Sequence, residues 1–284
     1  MNSVTNIGGY TTKEITSLVG LKPAQIQVFV RDGLLHPRKG RKGEQRFSFQ
    51  DVVLLRAAHG LLAAHVPPRT VHESLRRLRE QLPQGRTLAQ VRIAAEGHRI
   101  VVRDGSEAWE PASGQKVLDF DVATLAQKAA PFARRTAAAA REREHELGAE
   151  DWFELALELE TAATLDAEDA YRRALALDPR HFDARLNLGR LRHEAGDLRA
   201  AEEHYRLAAQ ARPDDPTPSF NLGVALEDRK RYEEAAIAYQ QAITADPGFA
   251  DAYFNLSGVH ERLGKSASAL RHLKTYRQLV RGPR

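Results

Sequence analysis

"FDARLNLGRLRHEAGDLRAAEEHYRLAAQARPDD" (Phe182 to Asp215) lies in register with "PTPSFNLGVALEDRKRYEEAAIAYQQAITADPGF" (Pro216 to Phe249) and with "ADAYFNLSGVHERLGKSASALRHLKTY" (Ala250 to Tyr276), at a period of 34 residues. Three "NL" pairs, at Asn187, Asn221 and Asn255, fix that register. Gly189, Gly223 and Ser257 follow where two helices must pack closely. Ala201, Ala235 and Ala269 recur at a small position of a second helix, and Pro213 and Pro247 close the turn. A helix pair of this length cannot bury its apolar face alone. Copies must stack, and stacking leaves a concave groove lined by the first helices. The chain is therefore read as mainly α.

These copies resemble tetratricopeptide repeats. An earlier, degenerate copy, "DWFELALELETAATLDAEDAYRRALALDPRH", keeps Ala167, Tyr171, Ala174 and Pro179 but is one residue short between Ala156 and Ala167. The count is four repeats over residues 150–284. Asn187, Asn221 and Asn255 share one position of the inner helix, which is similar to the asparagine ladder by which some such superhelices hold a peptide backbone. An amide both donates to and accepts from a main chain. With Arg190, Phe220 and Phe254 they make the candidate peptide-binding set. The alternative is that the asparagines satisfy groups within the repeats. Arg185, His193, Glu227 and Asp228 give the groove mixed charge, with no preference for an acidic or a basic peptide.

Towards the N-terminus the charge changes sign. Residues 1–85 hold thirteen Lys and Arg against six Asp and Glu, net +7, whereas residues 150–284 are net −4. A polyanionic partner is expected for the first part alone. There is no cysteine among 284 residues, no long apolar run and no cationic leader, so a soluble cytoplasmic protein without a membrane partner is expected.

"TTKEITSLVG" opens with Thr11 and, three residues on, Glu14, the pattern of a capping box, with Ile15, Leu18 and Val19 at helical spacing and Gly20 as the stop. "KPAQIQVFVRDG" places Pro23 at a first helical position, turns Ile26, Phe29 and Val30 inward and ends at Gly33. Two short helices joined by "GLK" make a helix-turn-helix. "RKGRKGEQRF", Arg38 to Phe47, then packs five cations and two glycines into ten residues, before a helix capped by Ser48 and Asp51 and another with Val71, Leu75, Leu78 and Leu82 on one stripe. Phe47 and Phe49 alternate with polar residues and are read as the packing face of a strand.

Residues 10–82 resemble the DNA-binding domain of MerR-type winged-helix regulators. That resemblance implies double-stranded DNA as partner, with the second helix in the major groove and the basic loop as a wing on the phosphate backbone. Carried onto this chain, it nominates Thr12, Lys13, Lys22, Gln25, Gln27, Arg31, Arg38, Lys39, Arg41, Lys42 and Arg46. Lys and Arg on a Gly-containing loop can follow phosphates, and each neutralised phosphate releases counterions. The recognition helix departs from the family: Ala24, Gln27, Val28 and Phe29 stand where Arg and Tyr are usual, and Glu44-Gln45 replaces a Tyr-Arg pair.

Between these parts, Val91, Ile93, Ile100, Val102, Val117, Leu118 and Phe120, punctuated by Glu96-Gly97, Asp104-Gly105 and Ser113-Gly114, read as a small β meander over 84–124, with Trp109 as a packing residue. "LAQKAAPFARRTAAAAREREHELGAED" lacks an apolar period of 3.5 and reads as a helical spacer, its "EREHELG" a charged helix. The expected organisation is a winged helix over 1–83, the meander, a helical linker over 125–149 and four repeats. A homodimer through the meander is left open. No phosphate loop, nucleophile elbow or zinc spacing is present, and His59, His65 and His72 are not spaced as ligands, so neither catalysis nor a cofactor is expected. Two functions fit: a DNA-binding transcriptional regulator with a peptide-binding superhelix, and an adaptor whose winged helix no longer reads DNA and serves assembly.

Overall fold

The computed structural model describes residues 8–40, 43–81, 91–96, 99–104 and 119–281; for 81, 91–92, 94–96, 99–104 and 119 it describes the backbone alone. The chain divides into two compact units, residues 1–170 and 171–284.

In the first unit, α1 (Thr12–Val19) and α2 (Pro23–Arg31) follow the short strand β1 (Tyr10–Thr11). The capping box forms as expected: the Glu14 N–H donates to Thr11 Oγ1 at 3.3 Å, and the Thr11 N–H donates to Glu14 Oε2 at 2.9 Å. Gly20 ends α1 at φ +86°, and Gly33 follows α2 at φ +70°, conformations that cost a residue without a Cβ little. Strands β2 (Arg38–Lys39) and β3 (Gln45–Phe47) form the wing, in a sheet of order β1-β3-β2. Helices α3 (Phe49–Ala63) and α4 (Pro68–Gln81) follow. Phe47 and Phe49 are both buried, but Phe49 is the first residue of α3, because Ser48 caps that helix and so ends the strand. Val71, Leu75 and Leu78 are buried as their stripe requires; Leu82 lies outside the described residues.

The second sheet consists of β4 (Val91–Glu96), β5 (Arg99–Asp104) and β6 (Asp119–Asp121), in the order β5-β4-β6. A meander would add β6 to β5. Instead β6 pairs antiparallel with β4, setting Phe120 opposite Ile93, and Ile93 joins the same core as α1 to α4, with Phe120 packed against it. Helices of its own unit thus cover one face of the sheet. Trp109, Val117, Leu118, Gly97, Gly105 and the Ser113-Gly114 turn lie outside the described residues.

The segment read as a spacer is a packed helix, α5 (Val122–Arg141). Leu125, Ala126, Ala129, Ala133, Ala137 and Ala140 are buried along one stripe. Alanine buries too little surface to stand out in a hydropathy pattern, yet a methyl suffices where a helix packs closely. Pro131 is tolerated within α5 on an exposed position. "EREHELG" contains only a single turn of 3-10 helix, Glu144–Glu146. Then come α6 (Ala149–Leu159), anchored by buried Trp152, Leu155 and Leu159, and α7 (Thr164–Leu177). Arg141 fixes the C-terminal end of α5 to α7, through Asp166 at 2.6 Å and Asp169 at 2.9 Å. By its contacts, α6 belongs with the first unit, although its sequence begins the repeat region.

The second unit stacks α8 (Phe182–Glu194), α9 (Leu198–Ala211), α10 (Pro216–Asp228), α11 (Tyr232–Ala245), α12 (Ala250–Arg262) and α13 (Ser266–Arg281) in alternating order. With α6 and α7 the described residues hold four helix pairs, and the fold is mainly α. Tyr205 and Tyr239 are fully buried beside Gly189 and Gly223. A Cβ built on Gly189 would lie 2.8 Å from the Tyr205 ring, and one on Gly223 2.5 Å from the Tyr239 ring. Glycine is there because tyrosine is. In the last pair both change together: Ser257 replaces the glycine and Leu273 stands at the position of the tyrosines.

Candidate nucleic-acid interface and peptide groove

On α2, Ile26 and Phe29 face the core, which leaves Lys22, Gln25, Gln27, Val28 and Arg31 on the exposed side, while Lys13 is exposed and Thr12 half-buried on α1. The nominated residues of α2 are thus exposed rather than packed in the core. Gln27 is not idle there: its side-chain N–H donates to Gln45 Oε1 on β3, and the Gln45 amide returns a bond to Gln27 Oε1 at 3.4 Å. Two amides can pair in this reciprocal way, and the pair fastens the helix to the wing. Asp32, at the end of α2, meets His72 of α4 at 3.0 Å, and the His72 ring packs against Phe29.

Arg38 and Lys39 are exposed on β2; Arg41 and Lys42 lie outside the described residues. Arg46, on β3, turns inward, donating from Nε and Nη2 to Glu44 Oε1 at 3.1 and 2.9 Å and from Nη1 to the Gly9 carbonyl at 3.4 Å. Arg79 steadies the approach to the wing, donating to the Leu34 carbonyl and meeting His36 Nδ1, each at 3.1 Å.

Two carboxylates that the sequence reading missed complete this face. Arg38 Nη1 donates to Glu154 Oε2 of α6 at 2.9 Å, and the Phe49 N–H at the start of α3 donates to Glu158 Oε2 at 3.3 Å. Burial pushes the Glu158 carboxyl up to about 7, against the nearby Arg38 guanidinium, which pulls it down. Burial likewise raises Asp51 and the Tyr10 phenol. The available signal was the spacing of Glu150, Glu154 and Glu158, one carboxylate per turn along one face of α6.

In the second unit Asn187, Asn221 and Asn255 are half-buried on α8, α10 and α12. Asn187 Nδ2 donates to the Tyr171 hydroxyl at 3.2 Å and Asn255 Nδ2 to the Tyr239 hydroxyl at 3.3 Å. Asn221 makes no such bond to Tyr205. The Tyr239 hydroxyl in turn donates to Glu227 at 2.9 Å, and Glu227 is paired with Arg262. Each bonded amide spends one N–H on a neighbouring helix, and its carbonyl retains accepting capacity. Arg190 is paired with Glu194 at 2.9 Å. Phe220 packs against Tyr239 and Phe249, whereas Phe254 is 53% exposed, with Tyr276 beside it. Among the described residues no group of three or more His, Asp and Glu could hold a metal ion, and no helix is long and apolar enough to cross a membrane.

Residues 10–78 match the family described as MerR HTH family regulatory protein, and residues 164–216 and 220–282 match the tetratricopeptide repeat family. Among curated proteins the chain is 35% identical over 108 residues to a peroxisomal targeting signal receptor of Eremothecium gossypii, covering 38% of this chain and 19% of that protein. It is 32% identical over 124 residues to the human Protein O-mannosyl-transferase TMTC3, covering 42% and 14%. The chain thus spans about a fifth or less of the curated relatives it matches. Similar solved structures include MamA, with a TM-score of 0.48 at 18% identity over 52% of this chain and 89% of that one. MamA from Desulfovibrio magneticus RS-1 scores 0.47 at 20% identity over 56% and 92%.

Proposed function

We propose that this chain, a MerR-type helix-turn-helix joined to tetratricopeptide repeats, is a transcriptional regulator that binds double-stranded DNA through the winged helix and a protein or peptide through the repeat groove. The observation that carries the reading is the exposed face of α2, with Lys22, Gln25, Gln27 and Arg31, on a chain that also bears the basic wing. Gln25 and Gln27 are of the type that reads adenine edges, and the wing lysines and arginines suit phosphates. A relative named as a targeting signal receptor supports peptide recognition by the groove. The protein acts without catalysis or cofactor, in the cytoplasm at the nucleoid. A short recognition helix offers few base contacts, so a homodimer on a two-fold site would supply specificity.

The second reading, an adaptor whose winged helix serves assembly, is favoured by one set of contacts: Gln27, Arg38 and Arg46 all spend hydrogen bonds inside the protein. Selection from a random duplex library at near-physiological salt separates the two, a sequence motif supporting the regulator and its absence the adaptor. Replacing Arg38, Lys39, Arg41 and Lys42 with alanine should weaken binding on all sequences alike. The log–log salt slope should fall by roughly one unit per lost contact. Normal binding by that variant at low and moderate salt would remove the wing from the interface.

A further inference from the structure

Arg38 is an exposed cation of the wing, and its guanidinium already has a partner. Its guanidinium is held by Glu154 at 2.9 Å, with the arginine side chain 54% exposed and the glutamate 26% exposed. One turn along the same helix, Glu158 accepts from the Phe49 N–H at 3.3 Å. A guanidinium and a backbone N–H at a helix start are two of the donor types with which proteins hold DNA phosphates. Helix α6 meets both with carboxylates spaced i, i+4: Glu158 is buried against the start of α3, where burial raises its carboxyl, and Glu154 is the carboxylate set against the wing. The apolar side of α6 is fixed by Trp152, Leu155 and Leu159, each 2% exposed or less, so the helix that carries Glu154 is a built feature of the unit and not a fraying end.

We propose that α6 is an autoinhibitory mimic of the DNA backbone, in which Glu154 occupies Arg38 and withholds it from phosphate. The proposal rests on the wing being a DNA contact and adds what limits that contact. Because α6 is anchored in the core, release requires only that the Arg38 side chain turn from Glu154 to a phosphate; the helix itself stays. The scale of the effect follows from the exposure of the pair. An exposed ion pair is worth at most about 1 kcal/mol, a restraint of up to about five-fold in affinity. That is enough to loosen the wing's hold on any duplex without abolishing binding.

The test is a double-mutant cycle on the full chain, with a fluorescent 30-base-pair duplex of arbitrary sequence as probe, titrated at low and at near-physiological salt. Glu154→Gln should tighten binding by about two- to five-fold. In wild type, Arg38→Ala should cost little, since that guanidinium is already spent. In the Glu154→Gln background it should cost several-fold more. An Arg38→Ala cost equal in the two backgrounds would mean that Glu154 acts only through its general field, and would overturn the proposal while leaving DNA binding intact. Equal affinity of wild type and Glu154→Gln would overturn it as well. Failure of every variant to bind the duplex at low salt would overturn both this proposal and the regulator reading.

Discussion

The wing and the repeat groove both carry side chains of the kind that bind ligands, and in both those side chains already have partners within the chain; the partners differ in kind. On the wing, Arg38 and Glu154 form a partly exposed ion pair between long, flexible side chains. Such a pair is cheap to exchange. In the repeats, Asn187 and Asn255 donate to the hydroxyls of the buried tyrosines Tyr171 and Tyr239, which are fixed by packing. The Tyr239 hydroxyl also donates to Glu227, so parting Asn255 from it costs one neutral hydrogen bond, about 0.5–1.5 kcal/mol. The two regions thus differ in the mobility of the internal partner, a flexible glutamate on the wing and tyrosines held by packing in the repeats.

The largest expected effect tests the rigid side of this contrast. Gly223→Val should destabilise the protein by about 3 kcal/mol, since even one added carbon would meet the Tyr239 ring, which packing prevents from moving. Urea denaturation measures it, and a loss below 1 kcal/mol would mean that the tyrosine can yield. Glu158 comes next. Its folded-state value is raised from 4.5 to about 7, so between those values the folded protein holds a proton that the unfolded chain has released. Stability is thus favoured below the lower value and lost as pH rises through about 7, by up to about 3 kcal/mol. Unfolding of wild type and Glu158→Gln at pH 5 and pH 8 should show a fall in wild type that the variant lacks.

A smaller effect is expected at the groove. Replacing Asn187, Asn221 and Asn255 together with alanine should weaken a bound peptide ten-fold or more, at about 0.5–1.5 kcal/mol per lost hydrogen bond. Recovery of the same partners at the same yield by a folded variant would make these asparagines structural alone. The smallest change has the opposite sign. Gly258→Ala on α12 meets nothing within 4 Å and should stabilise by up to about 1 kcal/mol, the helical cost of glycine. With Gly223→Val it separates glycines required by packing from those that are not.

Much of this architecture was legible in the residues. The repeats declare themselves by period, and the capping boxes at Thr11-Glu14 and Ser48-Asp51 lie within four residues of chain, where local hydrogen bonding decides the conformation. Residues of α5 were read as helical, but their packing was missed because the buried stripe is mostly alanine. The order of the second sheet was misread because adjacency in sequence says nothing about which edge a later strand joins. The candidate surfaces were half legible. Lys22, Gln25 and Arg31 fall on the exposed side of α2 because helical period fixes their face.

What sequence alone determined is everything set by short range or by repetition: the helices and their caps, the 34-residue stack, the basic wing and the acidic spacing on α6. Tertiary structure alone decided which of those charges meet. Arg38 and Glu154 stand 116 residues apart, Gln27 and Gln45 eighteen, and Phe120 and Ile93 face each other across strands that the chain does not place side by side. Pairings of this sort depend on how packed elements close upon one another, and no local pattern encodes that closure.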